Sequence, residues 1–265
     1  MDSRLSMGVL VSVAGLLSGC GRAGVIETRH LAWPAMEGQV LSVSSFNGDV
    51  VVRIAEGDSI RATATISSSL GAADAARIET AFVPGLATSL SATRPDILND
   101  AGVSFEIEIP SCVSLGSIET SNGRIEVSGG TGSPVLETSN GDVIVSGFAG
   151  RLRVDTSNGD VTAGGRDLVI LGIDTSNGDI EASPASFADG AVLDTSNGDI
   201  VAGLAPGAFA EFTMDTSNGS VSVEGPGFSE IRIDDSEGSA VMGGGGPHVE
   251  LSSSNGSITV TSPGE

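Results

Sequence analysis

Lysine and tyrosine are absent from this chain, tryptophan occurs once, and histidine and cysteine occur only twice each. Each shortage closes a class of function. The 12 basic residues are all arginine and face 34 Asp and Glu, a formal net charge of -22 over 265 residues. Such a chain offers no basic stripe and few stacking rings, so nucleic acid is excluded as a partner and anionic headgroups repel it. His30 and His248 form no pattern with a nucleophile or a ligand triple, and Cys112 has no sequence-evident partner. The glycine run Gly243–Gly246 lacks the following Lys-Ser/Thr of a phosphate loop. What remains is 39% hydrophobic with a mean hydropathy of +0.20, well above the composition of disordered chains. Its 38 glycines and many Val, Ile, Ser and Thr favour strands and turns.

The amino terminus reads as an export signal. Arg4 precedes an apolar stretch from Met7 to Leu17, followed by Leu17-Ser18-Gly19-Cys20. The stretch is too short for a mature transmembrane helix, which needs about 20 residues. Its ending resembles the lipobox of bacterial lipoproteins, which implies removal of residues 1–19, acylation of Cys20 and attachment to the membrane through that residue. Cys112 is then a lone thiol; a Cys20–Cys112 bridge is the alternative. Residues 20–37 read as a tether.

Behind it the chain repeats. Ser-Asn-Gly recurs at Asn122, Asn140, Asn158, Asn177, Asn197, Asn218 and Asn255, with a degenerate copy at Glu237 and an outlying Asn-Gly at Asn47. The period is 18–21 residues. Four residues before the Asn the copies carry Ile, Leu, Val or Met throughout; two before it they carry mostly Thr. Three and five after it they are again apolar, so each repeat contains two short strands of period two. Continued through the corner, that parity predicts that each Asn points inward, and that Gly supplies an unusual φ.

Asn-Gly between alternating strands also suits a β-meander or sandwich. The joint recurrence of Thr, Ser, Asn, Gly and Asp favours an all-β, single-domain parallel β-solenoid instead. There, coils about 4.8 Å apart lay like residue on like and an internal Asn ladder runs along the stack. The expected organisation is an amino-terminal coil and capping strands over 38–111, regular coils over 112–260 and a tail at 261–265. A short helix is expected around Ala72 to Ile78, and Phe148, Phe187, Phe209 and Phe228 are expected to plug a third corner.

Glu106-Ile107-Glu108-Ile109-Pro110, the Ser-Asn-Gly-Asp repeats that follow and the isolated Asn47-Gly48-Asp49 together resemble the bacterial putative-adhesin domain of unknown function, over residues 38 to 260. The resemblance implies an exported β-solenoid without catalytic residues.

Acid also falls in columns: Glu119, Glu137, Asp155, Asp174, Asp194, Asp215 and Asp234 three residues before the Asn, and Asp142, Asp160, Asp179 and Asp199 two after it. Parity turns both outward. Like charges about 5 Å apart cost roughly 0.8 kcal/mol even in water, so counterions matter. Asp142, Asp160, Asp179, Asp199, Asp155, Asp174 and Asp194 are therefore candidate Ca²⁺ ligands, against the alternative of a solvated acidic face. The functional expectation is a non-catalytic envelope lipoprotein, in the outer membrane of a diderm host, binding an envelope protein or polysaccharide. The alternative is a carbohydrate-active β-helix enzyme with stacked Asp as paired carboxylates.

Overall fold

The computed structural model describes residues 24–68, 77–94, 101–205 and 207–262. The export segment, Cys20 and most of the helix expected around Ala72 lie outside them. All regular structure among the described residues is β-strand. The amino-terminal part holds β1 (Gly24–Pro34), β2 (Gln39–Ser44), β3 (Val50–Ile54), β4 (Ser59–Ser68), β5 (Glu79–Val83), β6 (Ala87–Thr93) and β7 (Gly102–Ile109). The repeats follow: β8 (Val113–Asn122), β9 (Ile125–Ser128), β10 (Thr131–Gly132), β11 (Val135–Asn140), β12 (Val143–Ser146), β13 (Ala149–Asn158) and β14 (Val161–Gly164). Next come β15 (Asp167–Asn177), β16 (Ile180–Ser183), β17 (Ser186–Asn197), β18 (Ile200–Gly203), β19 (Ala210–Asn218) and β20 (Val221–Glu224). The chain ends with β21 (Phe228–Asp234), β22 (Glu237–Met242), β23 (His248–Asn255) and β24 (Ile258–Thr261).

The strands assemble into two long, mostly parallel sheets in a solenoid-like stack. Each repeat places its longer strand in one sheet and its shorter strand in the other. Equivalent residues lie opposite each other: Thr138 faces Thr120 on one side and Thr156 on the other. The core between the sheets is filled by Ile118, Leu136, Val154, Ile173, Leu193 and Leu251 from one sheet and Ile125, Val143, Val161, Ile180, Ile200 and Ile258 from the other, all buried. Each such side chain stabilises the stack by about 1.5–3 kcal/mol relative to exposure. Phe148 and Phe187 are buried where the third corner was expected to be plugged, whereas Phe209 is 58% exposed.

Several expectations are corrected. The Asn residues do not form an internal column. Asn122, Asn140, Asn158, Asn177, Asn197, Asn218 and Asn255 are exposed: each strand runs on to its Asn, but the Ser and the Asn after the inward Thr are both exposed, so inward alternation stops at the Thr. The corner glycines do not adopt left-handed φ either. They are needed for close approach: a Cβ on Gly159 would stand 2.1 Å from the Gly141 carbonyl oxygen, and one on Gly178 2.1 Å from that of Gly159.

The coils also do not follow chain order. β23 lies between β17 and β19, and β24 between β18 and β20, so the Asn255 coil is inserted between the Asn197 and Asn218 coils. The degenerate copy at Glu237 is not a coil. β21 and β22 form an antiparallel hairpin that covers the edge of β19, and Ile233, expected inside, is 45% exposed. The reason is chemical: Asp235 replaces the hydroxyl donor and Glu237 replaces the amide. Ser252 of the inserted coil is neutral where both neighbouring coils carry acid, so the insertion separates Asp194 from Asp215 and relieves like-charge contact.

At the other end, Asn47 begins a coil that stacks directly on the Asn122 coil through β2 with β8 and β3 with β9. β7, β4 and β1 extend one sheet; β6 and β5 extend the other. Much of the stretch read as a tether is strand. β1 pairs antiparallel with β4 from Gly24 to Pro34. Trp33 is 4% exposed and its ring centroid lies 3.9 Å from that of Phe82. The polar residues that gave the stretch a tether-like composition are used at this edge: Arg29 donates to the Ile78 carbonyl and to Thr80 Oγ1, each at 3.1 Å.

Candidate functional site

The repeats present a corner and an outward sheet face as continuous surfaces. At the corner, the Asn140 amide donates to Asn122 Oδ1 at 2.6 Å, Asn158 to Asn140 at 2.8 Å, and Asn177 to Asn158 and Asn197 to Asn177 at 2.9 Å each. Asn255 then donates to Asn197 and Asn218 to Asn255, both at 3.0 Å, while Asn122 donates to Asn47 at the start. Beneath the amides the threonines are buried, and their hydroxyls donate to glycine carbonyls of the adjoining coil, as Thr138 does to Gly123 at 3.1 Å. That bond satisfies a carbonyl which the close packing removes from water.

The aspartates after the corner have a related use. Asp142 Oδ1 accepts the backbone N–H of Asp160 at 3.1 Å, Asp160 that of Asp179 at 2.9 Å, Asp179 that of Asp199 at 2.8 Å and Asp199 that of Ser257 at 2.7 Å. One carboxylate oxygen of each is committed to holding coil to coil, a charge-assisted bond. Sequence spacing places these aspartates in a column; it does not show this bonding.

The second column lies outward on the other sheet. Glu119, Glu137, Asp155, Asp174 and Asp194 are consecutive partners across β8, β11, β13, β15 and β17. Ser252 interrupts it, and Asp215 faces Ser252 on one side and Glu237 of the hairpin on the other. Partial burial, reinforced by Asp155 and Asp194 on either side, raises the Asp174 carboxyl above the usual carboxylate range, and Arg153 partly opposes that rise. Of the seven candidate Ca²⁺ ligands, Asp155, Asp174 and Asp194 thus stand in this column and Asp142, Asp160, Asp179 and Asp199 in the corner column. Among the described residues, no three His, Cys, Asp or Glu converge as a metal-holding group.

The remaining reactive side chains lie apart. His30, on β1, contacts Thr63 Oγ1 at 3.1 Å, His248 is exposed on β23, and Cys112 is an exposed free thiol. A shallow depression over β1, β4, β7 and β3 gathers Arg53, Arg61, Glu106 and Glu108. Arg53 pairs with Glu126 at 3.2 Å and Arg61 with Glu108 at 3.4 Å. Outward alternation in 59–68 and 102–109 is the sequence signal that would have located this mixed-charge patch.

Among solved structures, the chain is similar to a putative adhesin from Bacteroides fragilis NCTC 9343, with 16% identity, a TM-score of 0.45, and coverage of 89% of this chain and 97% of that one. It is similar to a putative adhesin from Parabacteroides distasonis ATCC 8503 at 11% identity and a TM-score of 0.38, covering 90% and 98% of the two chains. A putative cell adhesion protein from Clostridium sporogenes ATCC 15579 also matches at 11% identity and a TM-score of 0.32, covering 89% and 100%. No curated protein matches the chain. The model of one family does match, over residues 27–261, and by that match the chain belongs to the Toastrack DUF4097 family.

Proposed function

We propose that this chain is a non-catalytic lipoprotein of the cell envelope, acylated at Cys20 and held on the outer membrane of a diderm host. Its single β-solenoid presents an acidic surface for adhesion, scaffolding or envelope sensing. The observation that carries the reading is the outward column Glu119–Glu137–Asp155–Asp174–Asp194, in register over five adjacent strands. A fixed row of carboxylates at strand spacing suits a partner with repeated positive charge, protein or polysaccharide, and gives attraction that salt weakens. The lipobox-like Leu17-Ser18-Gly19-Cys20 supports the anchor, and Gly21 in place of Asp after it supports the outer membrane.

Expression in a diderm bacterium tests the anchor. The expected result is that globomycin blocks processing and Cys20→Ser moves the protein from the membrane fraction to the soluble one; unchanged fractionation overturns it. For the surface, a chain carrying Glu119→Gln, Glu137→Gln and Asp155→Asn is compared with the parent in pull-downs from envelope extract at low and high salt. Partners retained equally by both chains exclude the acidic column as the binding surface.

A further inference from the structure

Eight Asn-Gly pairs lie at the corners of the stack, at Asn47, Asn122, Asn140, Asn158, Asn177, Asn197, Asn218 and Asn255. Asn-Gly is the dipeptide most prone to spontaneous deamidation, because the unhindered glycine nitrogen attacks the Asn side-chain carbonyl. The fold withholds both reacting groups at most of these sites. Gly123 N–H donates to the Asn140 carbonyl at 3.0 Å, Gly141 to Asn158 at 2.9 Å, Gly159 to Asn177 and Gly178 to Asn197 at 3.0 Å, Gly198 to Asn255 at 3.1 Å and Gly256 to Asn218 at 3.2 Å. In each of those pairs the Asn Oδ1 also accepts the amide of the next coil.

Asn218 is the last rung. Its Nδ2 donates to Asn255 Oδ1 at 3.0 Å and to the Ser254 carbonyl at 3.3 Å, but its Oδ1 accepts from no amide of a following coil. The capping hairpin reaches the neighbouring backbone, where Thr216 N–H donates to Ser236 and Val221 N–H to Asp235, yet Gly219 N–H meets no described acceptor. Asn218, Gly219 and Ser220 are all exposed. Asn47, at the opposite end, differs. Its Nδ2 donates to the Ala101 carbonyl at 3.0 Å and its Oδ1 accepts from Asn122, so the amide is held at both ends.

We propose that Asn218–Gly219 is the deamidation site of the folded chain. The Gly219 nitrogen loses its proton and bonds to Asn218 Cγ, the Cγ–Nδ2 bond breaks, and ammonia leaves with that proton. Water then opens the succinimide to aspartate or isoaspartate. The product adds a carboxylate at the end of the amide ladder, and the isoaspartate form lengthens the backbone where Gly219 packs on the Gly256 carbonyl.

The full chain is incubated in weakly alkaline buffer, folded and in denaturant, and its peptides are mapped by mass spectrometry with isoaspartate detection. Denatured chains are expected to react at all eight pairs at similar rates. In the folded chain, Asn218 is expected to react roughly tenfold faster than the internal rungs, the factor set by their two additional hydrogen bonds. Asn218→Gln is expected to remove the early modification and leave the rungs from Asn122 to Asn197, which it does not touch, unchanged. Equal rates across the folded chain, or an internal rung reacting first, would overturn the assignment.

Discussion

The Thr195 hydroxyl donates to the Gly178 carbonyl of the adjoining coil at 3.0 Å, and a Cβ on Gly198, in the same coil as Thr195, would stand 2.1 Å from that same oxygen. One carbonyl thus fixes two identities in the repeat, a small hydroxyl donor and a residue without a side chain. The recurrence of Thr-Ser-Asn-Gly follows from that geometry.

Thr195→Val keeps the volume of the side chain, which is 1% exposed, and removes the donor. The carbonyl of the half-buried Gly178 loses its partner, at a cost of about 1 kcal/mol. Urea denaturation is expected to show a lower midpoint with an unchanged slope. A midpoint equal to that of the parent would show that the hydroxyl contributes nothing.

Gly198→Ala places a methyl group against backbone that cannot move without separating the coils. A loss of about 3 kcal/mol, at the upper end for overpacking, is expected. Gly164→Ala is the matched control. Its new Cβ would meet only Ser183, at 3.7 Å, in ordinary contact. It is expected to be neutral, or slightly stabilising because alanine is less free than glycine in the unfolded chain. Equal losses in both variants would refute the close-approach account.

The sequence reveals the inward columns because period two persists through nearly every copy, from Ile118 to Leu251 and from Ile125 to Ile258. The orientation of the amides is not legible in the same way. It requires extending parity past Thr138 to Asn140, and alternation is lost there although the strand continues, with Ser139 and Asn140 both exposed. Coil order is hidden for a different reason. The copies carry nearly the same residues, so no copy specifies its neighbour. The neutral Ser252 marks the Asn255 coil as one suited to lie between the acidic Asp194 and Asp215. The hairpin at Glu237 was visible as a loss of the amide and hydroxyl, but that loss does not reveal what replaces a coil. β1 was hidden by polar residues whose partners, Ile78 and Thr80, are remote in sequence.

Asp174 gives a pH prediction whose sign follows from its surroundings. Partial burial, with Asp155 and Asp194 beside it, raises its carboxyl, so the charged form is less favourable folded than unfolded. The stability this group contributes is full below the ordinary Asp range and is lost as pH rises through the raised folded value. Asp174→Asn is therefore expected to melt higher than the parent at neutral pH, with the difference vanishing in acid and shrinking in high salt. Melting curves across pH check it. A variant less stable than the parent at neutral pH would contradict the like-charge account.

The inserted coil can be tested by cross-linking. Ser222 and Thr259 are direct partners across β20 and β24, with their side-chain oxygens 2.9 Å apart. Val201 partners Thr259 on the other side, so Val201 and Ser222 are two strand spacings apart, roughly 9.6 Å. A disulfide needs Cα atoms within about 7 Å. In a chain with Cys20 and Cys112 replaced by serine, Ser222→Cys with Thr259→Cys is expected to oxidise to an intramolecular disulfide under mild conditions. Val201→Cys with Ser222→Cys is expected to stay reduced. Coils stacked in chain order would place Val201 beside Ser222 and reverse both results, so mass spectrometry of the two oxidised variants decides between a terminal coil that inserts and one that simply follows.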